Sequence, residues 1–226
     1  MIHIKNLSKS FGSKQVLKNI NLSFQKGTVN GIVGDNGAGK TTLFRCIAGL
    51  EPYEGEIVSD LNILKDHLGL LMTDPYFFPL ITGREYIQLL CNARSIVPGN
   101  VDEKNIFDLP LSEYASTYST GMKKKLALTA ILRQENEVFI LDEPFNGVDI
   151  HSNMIIAEII YKLKSLGKTV LISSHIFSTL SETCDLIYLL QEGAVAREVK
   201  RPDFANLEQE MKAITLGDKV DRLGLR

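Results

Sequence analysis

The chain has little cysteine, no long apolar run and no excess of either charge, and each shortage excludes something. Cys46, Cys91 and Cys184 are its only cysteines. Three widely spaced thiols form neither a disulfide framework nor a metal-binding pattern, which suits a reducing cytosol. Cys46 and Cys91 fall in helical patterns and read as small buried apolar residues. No apolar stretch approaches the roughly 18 residues that a membrane-spanning helix needs. Met1-Ile2-His3-Ile4-Lys5 lacks the apolar region of a signal peptide. If the protein works at a membrane, another chain supplies the spanning part. The formal net charge is −2 on 226 residues, which argues against nucleic acid as a partner. No Asn-Lys-x-Asp motif is present to read guanine. With 44% hydrophobic residues the chain can bury one sizeable core, with room for an attached lobe.

Against these shortages stands one stretch rich in glycine, Gly34-Asp35-Asn36-Gly37-Ala38-Gly39-Lys40-Thr41-Thr42. It fits G-x-x-x-x-G-K-[ST], the phosphate-binding P-loop. Thr28–Val33 before it reads as a short buried strand, and Thr42–Ala48 after it as a helix, which is the context the motif requires. Glycines let the backbone turn tightly and bring N–H groups onto phosphate oxygens, and the helix N-terminus adds a positive dipole end. Asn36, Gly37, Ala38, Gly39 and Thr42 are therefore expected around the phosphates. Lys40 can reach the β- and γ-phosphates, and the Thr41 hydroxyl can hold Mg²⁺.

Around this loop the pattern alternates. Residues 2–33 read as a meander of strands, with Phe11 in a turn between the first two. Phe11 is open to two readings, hairpin packing or stacking on a base. Short strands are expected at 56–58 and 68–72. Tyr76, Phe77 and Phe78 lie on a proline-bounded stretch, either a buried connector or a docking surface. From Thr82 to about Arg133 the pattern turns helical. Thr82 and Glu85 form a capping box, and Tyr86, Leu89, Leu90 and Ala93 share a face. A short helix is predicted near Val101–Phe107, and a long one after Ser119-Thr120-Gly121-Met122. Lys123-Lys124-Lys125 near its start reads most simply as a solvated face, although lysines there favour a nearby anion.

Val138–Leu141 is a fully apolar strand that ends in Asp142-Glu143-Pro144. Carboxylates at the C-terminal end of a buried strand sit where α/β sheets place ligands. Downstream of a P-loop, Asp142 is the expected partner of Mg²⁺ through water, and Glu143 is placed to polarise an attacking water. Asn146–Asp149 is a turn, and a helix follows at 151–166, with Ile155, Ile159, Ile160 and Leu163 facing the core. The next buried strand, 168–172, closes on Ser173-Ser174-His175, which places His175 to sense a γ-phosphate; His3, His67 and His151 have no such placement. A strand, a turn and another strand complete residues 185–200, and a helix is expected near Phe204–Ile214.

In this order the motifs resemble those of the ATP-binding subunit of an ABC (ATP-binding cassette) transporter, over essentially the whole chain to about residue 200. Gly34–Thr42 is similar to the family's Walker A, and Val138–Pro144 to Walker B with its catalytic glutamate. Asn146–Asp149 resembles the D-loop and His175 the switch histidine. Tyr118–Met122 is similar to the family signature, in a form common among single-domain bacterial exporters. The resemblance implies an α/β P-loop NTPase: a RecA-like, mostly parallel sheet core with an N-terminal antiparallel β subdomain. It also implies a small helical subdomain at about 74–135, inserted in an ATPase domain of residues 1–200, and leaves 201–226 as a C-terminal tail. It implies catalytic roles for Glu143, His175 and Lys40, with ATP and Mg²⁺ as cofactors. ATP would lie between the Walker A of one subunit and Ser119 and Gly121 of another, with Phe11 stacking on adenine. The implied partners are transmembrane permease subunits and a second ATP-binding subunit, a copy of itself or a sister chain. The implied location is cytoplasmic, peripheral on the inner face of the plasma membrane.

Three departures from the pattern stand out. Where the family carries Gln at the Q-loop, this chain has Thr73 followed by Asp74, so a metal role for either is open. The signature has Thr120 and Met122 in place of Gly and Gln. The span from Walker A to signature is short, which makes the helical lobe compact, and Tyr76, Phe77 and Phe78 fall beside the groove where the permease docks. Two other functions stay in view: a soluble ABC ATPase acting on non-membrane partners, and a weakly hydrolysing regulatory subunit. One cassette and no coiled-coil insertion weigh against the first, and Glu143 and His175 against the second.

Overall fold

Strand β3 (Val29–Val33) shows why the fold has three layers. All five of its residues are buried, and they divide between two cores by strand alternation. Val29 and Val33 face one core and Ile32 the other. The same division repeats in β6 (Val138–Asp142) and β7 (Thr169–Ser173). Phe139, Leu141, Val170 and Ile172 face the first core, and Val138, Ile140 and Leu171 the second. Apolar residues on both faces are what a parallel sheet covered on each side demands.

The computed structural model describes residues 1–175 and 177–216, with side chains to residue 211. Its larger sheet is completed by β5 (Leu68–Leu71), β8 (Leu186–Gln191) and β9 (Ala194–Lys200), in the order β5-β6-β7-β3-β8-β9. Every pair is parallel except β8–β9. On one side lie α1 (Lys40–Ile47) and a three-stranded antiparallel sheet in the order β2-β1-β4. Its strands are β1 (Ile2–Phe11), β2 (Lys14–Phe24) and β4 (Glu54–Ser59). On the other side pack α2 (Gly83–Asn92), α3 (Thr120–Leu132), α4 (Ile150–Ser165) and α5 (Phe177–Thr183). Helix α6 (Phe204–Leu216) follows β9 and seats Phe204 and Leu207 in that core. This is the expected α/β fold, with an antiparallel sheet beside a mostly parallel one. The last ten residues of the expected 201–226 tail lie outside the described residues.

Three local expectations need correction. Residues 101–107 form turns rather than a helix. Asn105 bonds across to Leu109 through both ends of its amide, and Asp108 takes φ 50°, so the chain reverses before an i→i−4 ladder can form. In α2 the capping box forms as expected, with Glu85 N–H donating to Thr82 Oγ1 and Thr82 N–H to Glu85 Oε2. Its buried stripe, however, is Ile87 and Cys91, flanked by Tyr86 and Leu90, while Leu89 and Ala93 are exposed. The lysine run is not a solvated face, because Lys124 is fully buried and Lys125 nearly so. The aromatic stretch divides. Tyr76 and Phe78 are exposed and touch edge to face, whereas Phe77 packs inward on Tyr86 with ring centroids 4.5 Å apart. All three cysteines are buried, as the two helical ones were expected to be.

Candidate active site

At the C-terminal ends of β3, β6 and β7 the strands open onto a cavity of about 800 Å³. The loop from Gly34 to α1 forms its floor. Two glycines there have no substitute. Gly39, the N-cap of α1, takes φ 108°, and a Cβ on it would stand 2.7 Å from Leu17 Cδ2. A Cβ on Gly34 would stand 2.2 Å from the carbonyl oxygen of Leu190. The loop is thus pressed between β2 and β8, and its backbone curls into a concave surface. Lys40 is 8% exposed, and its ammonium donates to the loop carbonyls of Gly34 (2.7 Å) and Asp35 (3.2 Å). A cation held by carbonyl oxygens alone suits exchange onto phosphate oxygens.

Asp142, at the end of β6, is buried and accepts three hydroxyl hydrogen bonds. Thr41 and Thr73 both donate to Oδ2, at 2.6 Å and 2.8 Å, and Ser173 donates to Oδ1 at 2.6 Å. These partners come from α1, from the loop after β5 and from β7. The carboxylate therefore ties three elements together at the mouth of the loop. Sequence reasoning passed over Ser173, which had no motif signal of its own. Its hydroxyl also accepts from the N–H of Glu143 at 3.0 Å.

Glu143 follows at φ 52°, a left-handed backbone that costs a non-glycine residue roughly 1–3 kcal/mol. That turn swings its side chain out of the strand direction and over the cavity. Glu143 Oε2 lies 2.8 Å from His175 Nδ1, and the His175 N–H reaches the same oxygen at 3.3 Å. The histidine is half exposed while the carboxylate is nearly buried. Lys40, Thr41, Thr42, Thr73, Glu143 and His175 all line this one cavity, as do Asn36, Gly37 and Gly39. Asp74 is exposed and does not line it. Ala38 is buried behind the loop.

Other expected residues stand apart. Phe11 ends β1 opposite Lys14, with its ring exposed and the Lys9 ammonium 4.4 Å from its centroid. Lys14 and Val16 line the cavity and Phe11 does not. Met211 of α6 also lines it, a contribution with no sequence signal. Ser119 is the exposed N-cap of α3, accepting from Met122 N–H at 3.2 Å. Neither Ser119 nor Gly121 reaches the cavity within the chain.

The donors present fit a hard cation only in company with phosphate. Asp142 and the hydroxyls of Thr41 and Thr73 are oxygen ligands of the kind Mg²⁺ takes, together with nucleotide oxygens. Among the described residues no cluster of three acidic, histidine or cysteine groups could hold a metal without them.

The sequence profile of the family described as ABC transporter matches residues 17–146. Bacitracin transport ATP-binding protein BcrA of Enterococcus faecalis is 34% identical over 212 residues, 88% of this chain and 69% of that protein. SkfA peptide export ATP-binding protein SkfE of Bacillus subtilis is 29% identical over 230 residues, 95% of each chain. Among solved structures, the ATP-binding cassette MJ0796, a dimer in a post-hydrolysis state bound to ADP and Pi, superposes with TM-score 0.80. It is 24% identical and covers 89% of this chain and 99% of that one, a likeness of fold.

Proposed function

The chain belongs to the ABC transporter family and is an ATP-binding ATPase of that family, and on that premise we propose how its cavity hydrolyses ATP and what the hydrolysis drives. The observation that carries the reading is the Glu143–His175 pair, 2.8 Å apart, on the cavity shared with Lys40. ATP lays its β- and γ-phosphates in the loop of Asn36, Gly37, Ala38 and Gly39, at the N-terminus of α1. Lys40 exchanges its carbonyl partners for phosphate oxygens, and Thr42 adds a donor. Glu143 orients and polarises a water in line with the γ-phosphorus. As the new P–O bond forms, the bond to the β–γ bridging oxygen breaks. ADP leaves with that electron pair, and the proton lost by the water passes toward Glu143. His175 holds the carboxylate in place and stands where a γ-phosphate would meet its ring.

Thr41 and, through water, Asp142 would hold Mg²⁺, which when bound neutralises charge on the phosphate oxygens. Of the two residues at the Q-loop position, Thr73 is the one placed to share in that site, because it donates to Asp142. Phe11 stacks on the adenine beside Val16. Ser119 and Gly121 are supplied to the γ-phosphate by a second ATP-binding subunit, a copy of this chain or a sister, a reading supported by the exposure of Ser119 and by the distance of both from this chain's own cavity. Residues 74–135 act as the helical subdomain of a domain spanning 1–200. The exposed Tyr76 and Phe78 meet transmembrane permease subunits there, at the inner face of the membrane. No helix among the described residues is long and apolar enough to cross a membrane, so the permease is a separate partner in this reading. The names of BcrA and SkfE support transport as the work done, and that of SkfE supports an exporting kind.

The test compares wild type with Glu143→Gln in an ATPase assay and by size exclusion with and without Mg·ATP. Hydrolysis by wild type only, with an ATP-dependent dimer of the variant, is the expected result. A variant that hydrolyses at the wild-type rate overturns the assignment of Glu143. An idle wild type with a monomeric variant points instead to a sister subunit or a regulatory role.

A further inference from the structure

Lys124 is 2% exposed, on the second turn of α3. Its ammonium donates to the carbonyl oxygens of Glu143 and Asn146, each at 2.8 Å. A buried lysine is rare unless paired, and this one meets two main-chain oxygens. Burial pushes its pKa below the usual lysine range, while the carboxylates of Asp74, Glu143 and Asp142 pull it back. Carrying a charge into such a place has a cost, so what it holds is informative.

It holds the one residue of the cavity wall that has a left-handed side-chain-bearing backbone. The peptide group before Glu143 is pinned by its N–H to Ser173 Oγ, 3.0 Å. The peptide group after it is held at its carbonyl oxygen by Lys124 at 2.8 Å and, within the turn, by the N–H of Asn146 at 3.2 Å. With φ at 52° and both flanking peptides fixed, the direction of the Glu143 side chain is set from the main chain as well as by His175. The second bond of Lys124 fixes Asn146, which itself lines the cavity. Next to it on α3, Lys125 reaches Asp149 at 3.3 Å and Ser152 at 3.2 Å. A Cβ on Gly121 would stand 2.7 Å from the carbonyl oxygen of Gly147, so the start of α3 abuts the same turn. The helix capped by Ser119 is thus bolted to residues 143–149 along one face.

We infer that Lys124 is a positioning residue for hydrolysis: it fixes the backbone of Glu143 and couples that carboxylate to the helix that carries Ser119. The inference rests on the hydrolytic role of Glu143 proposed above. Any displacement of α3 along its axis moves the Glu143 peptide with it. A shift of the second subunit's nucleotide contact at Ser119 therefore reaches this chain's own water-activating group through a buried hydrogen bond.

The experiment measures kcat, KM and the equilibrium affinity for a fluorescent ATP analogue in wild type, Glu143→Gln, Lys124→Met and Lys124→Gln, with a thermal melt of each. A carboxylate displaced by about 1 Å loses on the order of 10²-fold in turnover. Lys124→Met is expected to lower kcat by roughly 30- to 100-fold while analogue affinity stays within about twofold. Lys124→Gln removes the buried charge and keeps a polar group against the two carbonyls, so it folds even if the methionine variant does not. One bond shorter, it cannot reach both carbonyls, and it loses turnover to a smaller extent. A kcat within about twofold of wild type in a folded variant overturns the inference, as does a loss confined to KM and melting temperature. Combining Lys124→Met with Ser173→Ala, the two side chains that hold the main chain of Glu143, gives less than the product of the separate losses in kcat. A strictly multiplicative result also counts against the inference. If Glu143→Gln turns over like wild type, the reading of Glu143 has failed; if it is silent and the folded Lys124 variants turn over within about twofold of wild type, only the role of Lys124 has failed.

Discussion

Ser173 offers a quantitative check on the site, because it carries no motif signal and its hydroxyl makes two buried bonds. Replacing it by alanine removes the donor to Asp142 Oδ1 and the acceptor of the Glu143 N–H. A hydrogen bond to a charged group contributes about 1.5–3 kcal/mol, and a buried N–H left without a partner costs about 1–3 kcal/mol. Asp142 retains Thr41 and Thr73, so the two terms do not add in full, and about 2–4 kcal/mol is expected. Unfolding entropy near 2.1 cal/mol/K per residue, over 226 residues, comes to roughly 0.5 kcal/mol/K. The melting temperature should therefore fall by about 4–8 °C. Circular dichroism or dye-binding melts of the nucleotide-free protein read this directly. A fall of less than about 1 °C would refute the reasoning, since it would mean that Ser173 is not the fully buried link between the two carboxylate residues.

Four further outcomes follow from particular residues. Glu143→Gln abolishes hydrolysis but still binds ATP, checked by phosphate release beside analogue binding. Gly34→Ala, whose Cβ would meet a main-chain oxygen at 2.2 Å, yields little folded protein, whereas Gly37→Ala meets nothing within 4 Å and costs only the ~1–2 kcal/mol of a left-handed backbone; soluble yield and melting temperature separate them. Asp149 caps α4 by accepting from Ser152 N–H at 2.8 Å, and that bond, with the Ser152 hydroxyl and Lys125, holds its pKa well below the usual carboxylate range. Its contribution to stability is present above the unfolded value near 3.8 and is lost as pH falls through the lower folded value. The melting-temperature gap between wild type and Asp149→Ala should hold from neutral pH to about 5 and narrow toward pH 3. Burial pushes the Cys46 thiol up to about 11 and Cys184 up to about 12. At pH 8 roughly one in a thousand or fewer is thiolate, so Ellman's reagent labels neither in the folded protein and both after unfolding.

Much of this molecule was legible because the signals are local. The P-loop declares itself within nine residues, since loop, lysine and helix start must be contiguous to meet one phosphate chain. The buried strands show as apolar runs because each is covered on both faces, and Thr82 with Glu85 reads as a helix start because a cap closes over three residues. That Asp142, Glu143 and His175 share one cavity could be read from their places at strand ends. Predictions failed where a local preference met a distant partner or a side-chain turn: residues 101–107 lost their helix to the Asn105 amide, and the stripe of α2 fell one position from the expected one.

By itself, then, the sequence determined the order of elements, the phosphate loop and the three residues, Asp142, Glu143 and His175, that the ends of β6 and β7 bring to the same cavity. Tertiary structure alone decided which groups complete the site. The three hydroxyls on Asp142 lie 101, 69 and 31 residues away in the chain, and nothing in the spacing of Thr41, Thr73 and Ser173 announces their meeting. Lys124 belongs to the same class. On the sequence it is the middle of three lysines, which propensity and charge place in water. In the fold its two neighbours diverge by the helical turn, and it alone points at the carbonyls of Glu143 and Asn146, 19 and 22 residues on. The physical reason is that periodicity tells which face of a helix is apolar, whereas main-chain oxygens that a turn presents to a buried cation become visible only once the turn is folded against that helix.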